Sequence, residues 1–131
     1  MFIPFVHPST FLLAGPTGSG KTYFVSRILT EHLIYPFPTR IIWVYSEWQQ
    51  AYELLRCKIP SIEFIKGPLS EKLYIEMSSN ERNFLVLDDQ MTNAGKSKEL
   101  AKLFIQGSHH KNLSVLYLYK IFSINGKNIG R

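Results

Sequence analysis

Short apolar runs alternate along the chain with stretches in which apolar side chains recur at helical spacing. That alternation predicts an α/β domain with a mostly parallel sheet. Thr10 to Ala14 is the first run, stopped by Gly15, and is expected to form a central strand. Lys21 to Leu33 has a helical pattern, with Val25, Ile28, Leu29 and His32/Leu33 on one face, and Pro36 and Pro38 close it. Ile41 to Tyr45, β-branched and aromatic, predicts a strand. Trp48 to Cys57 predicts a helix with Ala51, Leu54 and Leu55 on one side. Ile62 to Ile65 is a short strand before Gly67-Pro68, and Ser70 to Met77 a weak helix with Ser70 as N-cap. Phe84 to Leu87, between Asn83 and Asp88, predicts a central strand; Ser97 to Ile105 is a helix ending at Gly107, and Leu113 to Leu118 the last strand.

Composition narrows this picture only a little. The 131 residues are 45% apolar and 19% charged, which suits one folded domain spanning 1–131 rather than a disordered chain. Cys57 is the sole cysteine, so an internal disulfide and a cysteine-based zinc site are excluded. The N-terminus is apolar but uncharged and broken by prolines, unlike a signal peptide, and no apolar run approaches a membrane span. The net charge of +5 suits phosphate-bearing partners such as nucleic acid, although many small proteins are basic without one.

The chemistry is concentrated after the first strand, in Gly15-Pro16-Thr17-Gly18-Ser19-Gly20-Lys21-Thr22. The spacing of Gly, four residues, then Gly-Lys-Thr between a strand and a helix is that of a phosphate loop. Gly15, Gly18 and Gly20 let backbone approach phosphate without a Cβ in the way. Successive N–H groups form an anion-binding nest, and the following helix offers its positive end to the same phosphates. Lys21 is expected at the β- and γ-phosphates and Thr22 on Mg²⁺. The expected ligand is a nucleoside triphosphate, ATP with Mg²⁺.

A second feature supports the first. Phe84-Leu85-Val86-Leu87-Asp88-Asp89 runs an apolar strand into two carboxylates. Adjacent carboxylates ending a buried strand repel each other unless a cation is near. Asp88 fits a metal-side role through a bound water, and Asp89 the orientation or deprotonation of an attacking water. The plainer alternative is a solvated turn or a helix N-cap.

With these motifs the chain resembles the FtsK/HerA-type DNA-packaging ATPases of double-stranded DNA viruses and of virus-like Maverick/Polinton transposable elements. The resemblance runs through His7-Pro8 and the phosphate loop, Ile41 to Gln49, Ile62 to Ile65, Leu85 to Met91, and Leu103 to Val115, with Gly107-Ser108-His109-His110 its most specific part. It covers nearly the whole chain. It implies a three-layer P-loop NTPase of the RecA/ASCE type that uses ATP and Mg²⁺ to pump duplex DNA. The partners it implies are double-stranded DNA, a homo-oligomeric ring and capsid proteins, with no membrane. The implied location is intracellular, in host cytoplasm or nucleus, or with the virion. By position, Lys21 and Thr22 hold phosphates and metal, Asp88 supports Mg²⁺ and Asp89 is the catalytic acid.

Two departures stand out. Where the family carries a Thr-Gln-Asn-like polar patch after its last core strand, this chain has Tyr119-Lys120-Ile121. The family also continues with a further apolar strand, so the sequence is expected to be truncated at its C-terminus, as a fragment or a decaying copy. That raises a second reading, a remnant that binds nucleotide but hydrolyses it poorly. A small-molecule kinase is a third, disfavoured because no segment is rich in the arginines a phosphate lid needs. Lys111 stands where related chains often carry Arg, without an assignable role. His109 and His110 lack partners at metal-ligand spacing. Trp43, Tyr45 and Trp48 suit core and edge packing better than base stacking, and Lys96, Lys98 and Lys102 suit a solvated face better than a DNA-facing one.

Overall fold

A computed structural model of the chain describes residues 5–15, 20–88 and 96–120. The fold is organised around its most apolar segment. In β6 (Asn83–Asp88) all residues are buried, as expected of a parallel strand covered on both faces. β4 (Arg40–Tyr45) lies on one side of it and β7 (Leu113–Lys120) on the other. β2 (Thr10–Gly15) pairs with β7, and β5 (Glu63–Lys66) with β4. The sheet order is therefore β2-β7-β6-β4-β5, with every pairing parallel.

Alternation along the strands separates two cores. On one face Ile41, Trp43, Phe84, Val86, Leu116 and Leu118 meet α1 (Lys21–Thr30) and α2 (Gln50–Lys58). On the other, Ile42, Val44, Leu85, Leu87, Val115 and Tyr117 meet α3 (Glu71–Glu76) and α4 (Lys96–Gln106). Helices on both faces of a parallel sheet fit a three-layer α/β arrangement. No helix among the described residues is long and apolar enough to cross a membrane.

The strand expected to lead into the phosphate loop was expected inside the sheet. It is instead the outermost described strand, because β7 takes the place between β2 and β6. Its alternate side chains show the consequence: Phe11 and Leu13 pack against the first core, while Leu12 is 65% exposed.

The helix expected to run to Leu33 stops earlier, at Thr30. His32 takes a left-handed conformation (φ 53°), and Leu33 N–H bonds back to the Ile28 carbonyl at 2.9 Å. That is a Schellman ending, with Leu33 and Ile28 in the same core and His32 standing where glycine is usual. The His32 ring stacks on Phe37, with centroids 4.1 Å apart. The turn delivers β3 (Ile34–Tyr35), which pairs in parallel with β1 (Phe5–Val6) in a separate small ladder. In α2 the buried pair is Tyr52 and Leu55; Leu54, expected to face inward, is 68% exposed. Ser70 does cap α3, accepting from Leu73 N–H at 3.4 Å. A short helix, α5 (Ser108–Lys111), follows α4 and turns the chain into β7.

The amino ends of the strands are tied by buried polar groups. His7, 5% exposed, meets Ser114 Oγ through Nδ1 at 2.7 Å and Asn112 Oδ1 through Nε2 at 3.0 Å. Ser114 Oγ accepts Ser9 N–H, so its own proton goes to Nδ1; Asn112 donates its amide to the Glu81 carbonyl, so its Oδ1 accepts from Nε2–H. Asn83 spans the same end, donating to the carbonyls of Ser78 and Lys111.

Candidate functional site

The candidate residues gather at the opposite, carboxyl end of the sheet, where parallel α/β sheets present their ligand sites. Gly15 is the last residue of β2 and lies level with Lys120 of β7; Asp88 is the last residue of β6 and lies level with Leu118. With one strand between them, β2 and β6 stand about 10 Å apart, from a strand spacing of about 4.8 Å.

Gly20 opens α1 in the left-handed region, at φ 89° and ψ 14°. Space for a Cβ exists there, but an L side chain is strained in that conformation. The first helical bond runs from Phe24 N–H to the Gly20 carbonyl at 2.9 Å. Earlier N–H groups of the turn have no helical acceptor. The first turn carries no acidic residue, and Gly20 provides no side-chain cap. This end of α1 therefore keeps its positive character for an anion. Lys21 folds back across the loop so that its ammonium donates to the Gly15 carbonyl at 2.8 Å. The cation is thereby held at the end of β2. Thr22 occupies the same first turn, half-buried. Pro16, Thr17, Gly18 and Ser19 lie outside the described residues.

Asp88 is only 7% exposed and lies on the face of β6 that meets α1 and α2. Its Oδ2 accepts from the Tyr52 hydroxyl of α2 and from Trp43 Nε1 of β4, the latter at 3.3 Å. A buried carboxylate needs such donors, because burial without them carries the full cost of lost hydration. Asp89, the other half of the acidic pair, lies outside the described residues, as do Ile121 and Gly126 onward. Tyr119 of β7 packs with the second core beside Tyr117, on the face away from α1. Burial pushes the Tyr117 hydroxyl up to about 12. No family model matches the chain, and no curated protein matches it significantly.

The remaining candidates separate cleanly. Trp43 is fully buried, Tyr45 is half-buried, and Trp48 is 38% exposed with the Arg56 guanidinium 5.1 Å from its ring centre. Lys111 donates to the Met77 carbonyl at 3.0 Å and lies over the Tyr74 ring, closing the carboxyl end of α3 far from the loop. His109 and His110 are exposed, and no group of three metal-ligating side chains occurs among the described residues. Lys102 is exposed. Tyr52 is the site residue that the sequence pattern did not bring out. Its one available signal was its spacing of three from Leu55, which marks the buried face of α2.

Proposed function

We propose that this chain binds ATP with Mg²⁺ at the loop 15–22, as the P-loop ATPase domain of a DNA-translocating machine of the FtsK/HerA packaging type. The observation that carries the reading is the joint placement of Gly15, left-handed Gly20 and Lys21 between a parallel strand and an uncapped helix, with Asp88 ending the second strand over. Hydroxyl and carboxylate oxygens, such as Thr22 and Asp88 supply, suit a hard cation of the Mg²⁺ kind. The ion, when bound, supplies charge neutralisation to the β- and γ-phosphates. Lys21 leaves the Gly15 carbonyl for the phosphates, and the first-turn N–H groups of α1 receive their oxygens. Asp88 would hold the ion through its bound water, and Asp89 would orient the attacking water. Double-stranded DNA and a ring of identical subunits are the partners this reading calls for.

Duplex DNA should raise the steady-state rate of ATP hydrolysis. A rate indifferent to DNA would remove translocation from the proposal and leave nucleotide binding alone. One observation favours that more limited reading, a binding module with slow turnover. Tyr119 turns to the second core, and the residue level with Gly15 is Lys120, so no neutral amide occupies that rung of β7. A preorganised donor at developing charge is typically worth about 2.7–4 kcal/mol in the barrier. Rapid multiple turnover would exclude the module.

A further inference from the structure

Asp88 is held more tightly than the end of a strand requires. Two donors reach the same oxygen from two different elements, the Tyr52 hydroxyl from α2 and the Trp43 indole from β4. Both rings are fully buried. Trp43 meets Tyr52 edge-on with centroids 5.4 Å apart, and Phe64 packs against both, at 5.8 Å and 5.3 Å. Trp48 closes over Tyr52 at 5.2 Å. Rings enclosed in this way have no alternative rotamer to visit, so packing fixes where their donors point. An aspartate side chain has two torsions, and two converging donors set both.

We propose that Tyr52, assisted by Trp43, is a positioning residue that orients the Asp88 carboxylate toward a divalent cation. The proposal rests on the Mg²⁺-nucleotide reading above and assigns α2 a part in it. Outer-shell donors of this kind fix the orientation of metal-side carboxylates, and their loss typically costs about 10–100-fold in metal affinity or activity. A purely structural role would register in stability alone.

Tyr52→Phe keeps the ring and removes the donor. ATP binding is measured by calorimetry in EDTA and then across a Mg²⁺ titration, with circular dichroism as the check on folding. Affinity in EDTA should stay at the wild-type value, while the Mg²⁺ concentration for half-maximal enhancement of binding rises about tenfold. The chain has two tryptophans, so Trp48→Phe leaves Trp43, beside Asp88, as the single tryptophan, which excitation at the red edge selects over tyrosine. Mg²⁺ added to the ATP-loaded Trp48→Phe protein should shift Trp43 emission, a readout that needs no change at position 52 and decides the matter if Tyr52→Phe does not fold. A folded Tyr52→Phe protein with wild-type Mg²⁺ dependence overturns the positioning role and leaves the nucleotide site standing. So does unchanged Trp43 emission when calorimetry shows Mg²⁺ bound. A wild-type chain whose ATP binding ignores Mg²⁺ overturns both.

Discussion

The two ends of the sheet both bury polar side chains, yet they do so in different ways. At the amino end His7, Ser114, Asn112 and Ser9 satisfy one another with neutral donors and acceptors. His7 and Ser9 lie more than a hundred positions from Asn112 and Ser114, and their hydrogen bonds join the region of β1 to the start of β7. At the carboxyl end the groups are charged or conformationally unusual: a buried carboxylate, a lysine folded onto a strand-end carbonyl, and a glycine at positive φ. The first arrangement is complete within the fold and serves stability. The second keeps a helix end without a side-chain cap and holds a carboxylate in a fixed orientation, an arrangement that fits the proposed binding of an anion and its cation. Substitutions at the amino end should therefore change stability without changing nucleotide affinity, and those at the carboxyl end the reverse.

The largest effects should come from the acidic pair. Asp89→Asn should retain MgATP and lose hydrolysis by about a hundredfold or more, the scale of a removed general base. Asp88→Asn should also weaken the Mg²⁺ dependence of binding, by about tenfold or more, as expected for a charge-assisted contact of about 1.5–3 kcal/mol. Rapid-quench rates and Mg²⁺ titrations separate the two. Equal effects of both substitutions on Mg²⁺ affinity would remove the division of labour between them.

Next comes a change at the amino end. A Cβ on Gly107, between α4 and α5, would overlap the Tyr74 hydroxyl and ring. Tyr74 is half-buried, meets Phe104 edge-on and lies under the Lys111 ammonium, so making room would disturb both contacts. Gly107→Ala should cost about 1–3 kcal/mol in denaturant unfolding, the scale of an overpacked core, with ATP affinity unchanged. A loss of affinity in the folded variant would break the separation between the two ends.

The smallest effect concerns pH. Burial, helped by the charge of Arg82, lowers the His7 pKa below its ordinary 6.5 against the raising effect of Asn112. Folded protein therefore keeps His7 neutral where the unfolded chain takes up a proton. The stability associated with the neutral ring is fully present above about 6.5 and is lost as pH falls from there through the lower folded value. Urea midpoints across this window should drop in the wild type and drop less in His7→Gln. Parallel pH profiles for the two proteins would mean that His7 does not titrate differently on folding.

Much of this was legible in the sequence, for reasons that vary by element. β4, β6 and β7 read as continuous apolar runs because each has a strand on both sides and a helix layer on both faces. Gly15, Gly20, Lys21 and Asp88 stood out as candidates because a Gly-x4-Gly-Lys-Thr spacing and an apolar strand ending in carboxylates are patterns that a sequence displays directly. What escaped depends on tertiary contact. β1 and β3 are two residues each, too short for any periodicity. The end of α1 turns on His32 in a left-handed conformation that the sequence does not announce, since its ring stacks on Phe37 to hold it there. The place of β2 as the outermost described strand is invisible in its own sequence, since Leu12 is as apolar as its partly buried neighbours Phe11 and Leu13. Tyr52 escaped because its hydroxyl matters only once α2 is folded onto β6.

Calorimetric titration of ATP with Mg²⁺ into the wild-type chain and into Lys21→Ala tests the nucleotide site most directly. The wild type should bind, and Lys21→Ala should bind about 10–100-fold more weakly, since a charge-assisted contact to phosphate contributes about 1.5–3 kcal/mol. Equal affinity in the two folded proteins, or no binding by the wild type, would contradict a phosphate site at 15–22.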